Sequence, residues 1–268
     1  MKVFLCPNRE KLAALTAALL AAQIRTKPES VLGLATGRTM EAVYARLVLA
    51  HTTQQLDFSR CTTFNLDEYA GLAPTDPRSY HTYMHQHLFQ HVNLTAEQTH
   101  LPNGMAEDLS AEGVRYDALI QQAGGIDLQL LGLGENGHIG FNEPLASLSS
   151  RSRPVVLAPE TRQQNAGLFD GNPDSVPPRA LTMGTGTILE SRRIILTVSG
   201  TSKARILQAV LEGPVTAQKS ASALHFHNNC LVLADQEAAS CLTTRNAIDH
   251  AMQHDPELSA LQTLLTAY

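Results

Sequence analysis

The 268-residue sequence has few cysteines, and its four (Cys6, Cys61, Cys230 and Cys241) form no C-x-x-C pair. That excludes a disulfide-stapled scaffold and leaves no zinc-ligand spacing, so all four are expected to be reduced and partly buried. There is no basic excess: 20 Lys and Arg stand against 25 Asp and Glu, a formal net charge of −5. A nucleic-acid partner is therefore not expected, although a local basic pocket remains open. No apolar run approaches the length of a membrane span, and the N-terminal apolar stretch is preceded by Asn8, Arg9, Glu10 and Lys11, unlike a targeting signal. No membrane partner and a cytoplasmic location are expected. Repeats, low-complexity segments and Pro/Gly/Ser-rich linkers are also missing. With 43% hydrophobic and 17% charged residues, the chain reads as one domain over residues 1–268.

What is present is alternation. Short apolar runs at 3–5, 30–35, 61–66, 127–133, 193–198 and 230–234 read as strands. Helical patterns occupy 10–23, 40–50, 79–91, 111–122, 202–211 and 256–266. Such alternation predicts an α/β fold, a doubly wound (Rossmann-like) domain with a mostly parallel sheet and helices on both faces. The broken segment "GNPDSVPPRA" (171–180) reads as a surface loop. In such sheets ligands sit beyond the carboxyl ends of the strands, where "ATGRTM", "NLDEY" and "GENGHIGFNEP" fall.

The last of these contains Gly132-Leu-Gly134-Glu-Asn-Gly137, which fits the G-x-G-x-x-G pattern of a dinucleotide turn. That turn must open a helix, because its helix N-terminal amides carry the pyrophosphate. Here Gly140 and Pro144 break any first turn, and "LASLSSRSRP" lacks a helical apolar stripe. No dinucleotide cofactor is expected. The glycines read instead as places where backbone passes close to a ligand, with Asn136, His138, Asn142 and Glu143 crowded on one irregular loop.

"LGLGENGHIGFNEP" closely resembles the signature loop of the glucosamine-6-phosphate deaminase (isomerase) family. "GLATGRTMEAVYARL", "FNLDEYAGL", "SYHTYMHQHLF", "ETRQQNA", "ALTMGTGTILESRRIILTVSGTSKARIL" and "SASALHFHNNCLVLADQEA" resemble its other signatures, in the family's order. The resemblance runs from about residue 3 to about residue 239. It implies an amino-sugar phosphate as substrate, glucosamine 6-phosphate first, converted with water to fructose 6-phosphate and ammonia. The reaction opens the sugar ring, moves a proton from C2 to C1 and hydrolyses a ketimine. These are acid–base steps that call for no cofactor and no metal.

By the same resemblance, Asp67 is the base that carries the proton between C2 and C1, a role that asks for a pKa above the ordinary 3.9 or so. Read without the resemblance, an Asp after a strand more often caps a helix or pairs on the surface. His138 serves ring opening, with Glu143 orienting or charging it. Many members carry Asp where this chain has Asn136, and Asn cannot take a proton. Thr36, Gly37, Arg38 and Thr39, between a strand and a helix, offer amides and hydroxyls to the phosphate. Arg38 and Met40 depart from the commoner small residue followed by Pro. Arg162 and Lys203 match the family's cationic phosphate ligands. His81/His85 and His87/His91 have a spacing that can hold a metal, but the two pairs point different ways, and a polar helix face at the rim is the preferred reading. His225 and His227 are placed on one strand, sharing a face.

A galactosamine 6-phosphate deaminase, a 6-phosphogluconolactonase-like lactonase and a non-catalytic sugar-phosphate sensor are the competing readings. In the allosteric members, a second phosphate site lies partly in the segment after "FNEP". Here Val155 and Val156 stand where those members place a Lys and a Thr, although Ser147 and Arg153 remain. Loss of a charge-assisted contact removes roughly 1.5–3 kcal/mol, more than tenfold in effector affinity. A monomer or homodimer without allostery is the expectation. Initial rates against glucosamine 6-phosphate are predicted to be hyperbolic and indifferent to N-acetylglucosamine 6-phosphate; a sigmoidal curve that this compound straightens would contradict it.

Overall fold

In the computed structural model of the chain, residues 1–266 are described. Ten strands follow in order: β1 (Lys2–Cys6), β2 (Val31–Leu34), β3 (Thr62–Asn65), β4 (Asp67–Tyr69), β5 (Thr99–His100), β6 (Leu128–Gly132), β7 (Arg153–Val156), β8 (Arg179–Thr182), β9 (Arg193–Val198) and β10 (Cys230–Asp235). The helices are α1 (Arg9–Thr26), α2 (Arg38–Gln54), α3 (Tyr80–His87), α4 (Leu109–Gln122), α5 (Pro159–Asn165), α6 (Thr185–Leu189), α7 (Ala204–Leu211), α8 (Arg245–His254) and α9 (Pro256–Thr266), with several 3-10 turns between them. No helix among the described residues is long and apolar enough to cross a membrane.

Seven strands form one sheet in the order β1-β10-β9-β6-β2-β3-β5, and every pair in it is parallel. Both faces are covered. Thr16 of α1 meets Thr197 of β9 at 3.2 Å between hydroxyls, whereas Phe64, which points to the opposite face, packs its ring 5.7 Å from Tyr116 of α4. Two-sided burial explains why β1, β2, β6, β9 and β10 are largely apolar runs and were legible as such; β3 reads Thr-Thr-Phe-Asn, and the two-residue edge strand β5 was not predicted. From β2 the chain continues outward to β3 and β5; from β6 it continues the other way, to β9 and β10. The sheet's order reverses between β2 and β6, and a crevice opens there beyond their carboxyl ends.

A second sheet was not predicted. Strands β4, β8 and β7 pair antiparallel, with Asp67 opposite Thr182 and Thr182 opposite Arg153. These strands are three or four residues long and include charged residues and Pro154, so no alternation announces them. Their pairing is a tertiary effect. The sheet starts one residue after β3 ends. The chain therefore leaves the parallel sheet at Leu66 and immediately presents Asp67 at the seam between the two sheets.

Other expectations need correction. The helix expected over 79–91 ends at His87, and the chain resumes as a 3-10 turn over Phe89–His91. His225 lies in a 3-10 segment, Ser220–Phe226, and His227 ends it, so they are not strand neighbours. His225 Nε2 is 3.0 Å from the Val210 carbonyl and His227 Nε2 2.7 Å from that of Ser191. The loop at 171–180 contributes buried Val176 and the first residues of β8.

Strand β4 is seated by a close approach. A β-carbon at Gly104 would lie 2.1 Å from the Tyr69 carbonyl oxygen, which is backbone and cannot swing away. Gly104→Ala is predicted to lower unfolding free energy by about 1–3 kcal/mol in urea titration. Gly167→Ala, where nothing lies within 4 Å of the new carbon, should change it by less than about 1 kcal/mol. Equal effects at the two positions would contradict the seating of β4.

Candidate active site

The crevice between β2 and β6 is a cavity of about 500 Å³. Its walls include Thr36, Gly37, Arg38 and Thr39 after β2, Asp67 and Tyr80 beyond β3, Gly134, Glu135 and His138 after β6, and Lys203 after β9. Seven of the ten residues singled out in the sequence thus meet in one place. Asn136 and Glu143 stand behind His138, and Arg162 stands aside.

Asp67 is buried, and its carboxyl accepts no hydrogen bond from the described residues. Burial pushes its pKa up to about 8, with the Glu68 carboxylate beside it as a second cause. The neighbouring phenols add no further anion, because burial keeps Tyr69, Tyr80 and Tyr116 protonated.

The loop after β6 folds back on itself. The Gly134 amide donates to the His138 carbonyl at 2.9 Å, and a β-carbon at Gly134 would sit 2.2 Å from His138 Nε2. The glycine therefore makes room for the protein's own imidazole. Gly140, with φ +56°, backs onto Asp67, and a β-carbon there would be 3.6 Å from Asp67 Oδ2. Asn142 is a buttress: its amide donates to the Ile139 and Met183 carbonyls at 2.9 and 2.8 Å, tying the loop to the end of β8.

Behind the imidazole lies a carboxylate. His138 Nδ1 is 3.5 Å from Glu143 Oε2, an ion-pair distance, and the same oxygen accepts from Asn136 Nδ2 at 2.9 Å. Glu143 Oε1 accepts the Ala158 amide at 3.0 Å. Burial alone would raise the Glu143 pKa, but the His138 ring, the Thr161 hydroxyl and the Ala158 amide outweigh it and bring it to about 2. Glu143 is thus a fixed anion and Asn136 a hydrogen-bond donor to it.

The cavity also has cations in its wall, Lys203 and Arg38. The Lys203 ammonium is buried without a hydrogen-bond partner, and the nearest carboxylate, Glu135 Oε1, is 3.8 Å away. Burial lowers its pKa, the Glu135 carboxylate counters that, and Arg38 adds to it. Gly37 precedes α2 without any side-chain cap, which leaves first-turn amides facing the same space. A buried cation, an arginine and a helix N-terminus together make an anion site.

Arg162 lies on α5, whose Gln164 and Asn165 line the cavity. Its own guanidinium turns to the Val176 carbonyl at 3.2 Å and to Asp174 at 3.6 Å. His81 is held by Glu68, with Nδ1 2.9 Å from Oε2. No group of three or more metal-ligating side chains occurs among the described residues. Sequence reading did not single out Arg9, Tyr80, Glu135 or Gln164, which also line the cavity. Glu135 and Tyr80 lie inside motifs that were quoted, but nothing in the local pattern distinguishes a wall residue from its neighbours.

The profile of the family described as glucosamine-6-phosphate isomerases/6-phosphogluconolactonase matches residues 8–233. The chain is 50% identical over 240 residues to glucosamine-6-phosphate deaminase 1 of Bacillus subtilis strain 168, covering 90% of this chain and 99% of the relative. It is 51% identical over 245 residues to the glucosamine-6-phosphate deaminase of Rhodopirellula baltica, covering 91% and 97%. A solved structure described as a monomeric glucosamine-6-phosphate deaminase superposes with a TM-score of 0.88 at 50% identity, covering 90% of this chain and all of that one. The 6-phosphogluconolactonase from Trypanosoma cruzi shares the fold, with a TM-score of 0.70 at 18% identity, over 90% of this chain and 97% of that one.

The Asp67 pKa has a consequence for stability. An unfolded Asp ionises near pH 3.9, while the folded one holds its proton to about 8. Between those values the folded state binds more protons, so stability falls as pH rises through that window and levels off above it. Asp67→Asn removes the slope. The variant's melting temperature relative to the parent should rise from pH 4 to pH 8 in calorimetry; a constant difference would mean that Asp67 titrates normally.

Proposed function

Because the chain belongs to the glucosamine-6-phosphate isomerase/6-phosphogluconolactonase family, we propose that it converts glucosamine 6-phosphate and water to fructose 6-phosphate and ammonia. The observation that carries this reading is a single cavity with Asp67, a carboxyl of raised proton affinity, and Lys203, a buried ammonium without a hydrogen-bond partner. A sugar phosphate supplies what each lacks: an acidic carbon for the first and an anion for the second.

The phosphate binds to Lys203, Arg38 and the amides at the start of α2. Arg162 joins it by a change of rotamer, since its present partner Asp174 is almost fully exposed and holds it weakly. His138 moves the proton between the ring oxygen and the anomeric hydroxyl, with Glu143 stabilising the imidazolium and Asn136 keeping Glu143 in place. Ionised Asp67 then takes the C2 proton of the open aldehyde while O1 gains a proton, which gives an enolamine. Asp67 returns its proton to C1 as the nitrogen gives one up, so C2 and nitrogen form a ketimine, and water adds to C2 and releases ammonia. Raised basicity matters for the carbon step, because an ordinary carboxylate is a poor match for a carbon acid. We further propose that the chain works as a monomer in solution, in line with the relative described as monomeric, and that it takes the gluco epimer in preference to the galacto.

Ammonia release equimolar with fructose 6-phosphate tests the reading; its absence from glucosamine 6-phosphate, or its appearance only from the galacto epimer, would overturn it. Asp67→Asn is predicted to lower kcat by roughly 10²–10⁴-fold with KM little changed. Lys203→Ala should lower kcat/KM by roughly 10–150-fold, and Arg162→Ala by less. The wild-type kcat/KM should climb with pH and flatten above about 8, where Asp67 is ionised.

A further inference from the structure

Glu68 stands next to Asp67 on β4, and successive residues of a strand face opposite ways. Asp67 looks into the cavity; Glu68 looks away from it, toward the start of α3. Its carboxylate is 1% exposed. Oε1 accepts the amides of Tyr69 at 2.8 Å and Tyr80 at 3.1 Å, and Oε2 accepts the His81 amide at 3.0 Å and faces His81 Nδ1 at 2.9 Å. Tyr80 and His81 are the first two residues of α3, whose amides the helix itself cannot satisfy. A neutral oxygen would serve those amides almost as well. Burying a full charge costs far more than burying an amide side chain, so the charge itself asks for a reason.

That reason lies in what the turn carries. Tyr80 lines the cavity together with Asp67, and its hydroxyl is 3.2 Å from that of Tyr69. The rings of Tyr69 and Tyr80 stand 4.9 Å apart, and Phe141 of the His138 loop packs 5.7 Å from Tyr69. A shift of α3's first turn would therefore reach both sides of the cavity.

We propose that Glu68 is a positioning residue, which clamps the first turn of α3 to β4 so that Tyr80 and Asp67 keep one spacing, and which places a second carboxylate beside Asp67. The inference rests on the deaminase reading, with Asp67 as the carbon base. The titratable groups near Asp67 are Glu68 and Tyr69 from its own strand, Tyr80 from α3 and Tyr116 from α4, with His138 in the wall of the same cavity. The three phenols stay protonated. Glu68 is thus the anion among them, and His81 is the group that faces it from α3. A negative neighbour raises the proton affinity of a carboxylate, so removing the charge lowers it.

The test compares wild type, Glu68→Gln and Glu68→Asp by ammonia release across about pH 6 to 9.5, with the melting temperature of each variant. Glu68→Gln keeps an acceptor and loses the charge: the acid limb of kcat/KM should move down by roughly 0.5–1 pH unit. Glu68→Asp keeps the charge and shortens the reach: the limb should stay and kcat should fall about tenfold or more. Coincident limbs for wild type and a folded Glu68→Gln, or an unshifted limb with equal loss of kcat in both variants, would reduce Glu68 to a structural role and overturn the proposal. If Glu68→Gln does not fold, Glu68→Asp decides: a wild-type kcat overturns the proposal and a reduced kcat at an unshifted limb supports it. If wild type releases no ammonia, the deaminase reading itself has failed. Calorimetry then still reads the Glu68 charge, because the pH slope of stability assigned to Asp67 should shrink in Glu68→Gln.

Discussion

The site is governed by one constraint: a largely buried carboxyl, open only to the cavity, that accepts no hydrogen bond from the described residues. Asp67 meets it because the chain leaves the parallel sheet at Leu66 and enters the antiparallel one at once. The backbone there has partners on both sides, with the Met183 amide on the Leu66 carbonyl at 2.7 Å. Only the side chain is left unpartnered. A carboxylate in a loop would find water or an amide and return to an ordinary pKa. Two short sheets meeting at a seam supply paired backbone and an unpaired side chain together. The cost in stability at neutral pH is borne by the seven-stranded sheet, whose two-sided core is large enough for it.

The cavity's charges come from different segments. Lys203 follows β9 and Arg38 opens α2, whereas Asp67 starts β4 and His138, paired with Glu143, follows β6. Glu143 is anionic throughout the neutral range, whereas Asp67 changes charge near its upper edge. Three carboxylates in close quarters thus differ by environment alone. Glu143 and Glu68 accept backbone amides, while Asp67 accepts none. Hydrogen bonds to the charged form separate Glu143, held well below the usual carboxylate range, from Asp67, the titrating base.

The sequence made the long buried elements legible. Strands β1, β2, β6, β9 and β10 announce themselves as apolar runs because both their faces are covered, while β3 is legible through Cys61, Phe64 and Leu66 around its polar residues. Helices α1 and α4 show caps, Asn8 accepting from Lys11 and Asp108 from Ser110, and α2 shows a period, with Met40, Val43, Tyr44 and Leu47 buried. The three strands of the small sheet show no such signal, since pairing across the fold creates them. The short helices α5 and α6 fall below the length at which a period can be seen. Among site residues, Asp67 and His138 lie at strand ends, where topology puts ligands. Glu68 was invisible for a physical reason: its partners are the amides of Tyr80 and His81, and no local pattern says which helix will start beside it. Arg162 illustrates the converse. A motif places it on the right helix, but the direction of a half-exposed guanidinium follows from its neighbours Val176 and Asp174.

The glycine pattern after β6 shows how one physical need can imitate another. A dinucleotide turn uses glycine so that backbone can approach a pyrophosphate and a helix can start. Here the same spacing serves a loop that starts no helix: Gly134 is small because the His138 ring lies against it, and the Gly134 amide is spent on the His138 carbonyl. An amide bound to the protein's own carbonyl is not free for phosphate. The anion-binding amides lie instead after β2, at Gly37 and the start of α2, where no side chain caps the helix. The two strand ends that flank the crevice therefore divide the work, one giving its backbone to the ligand and the other giving its side chains.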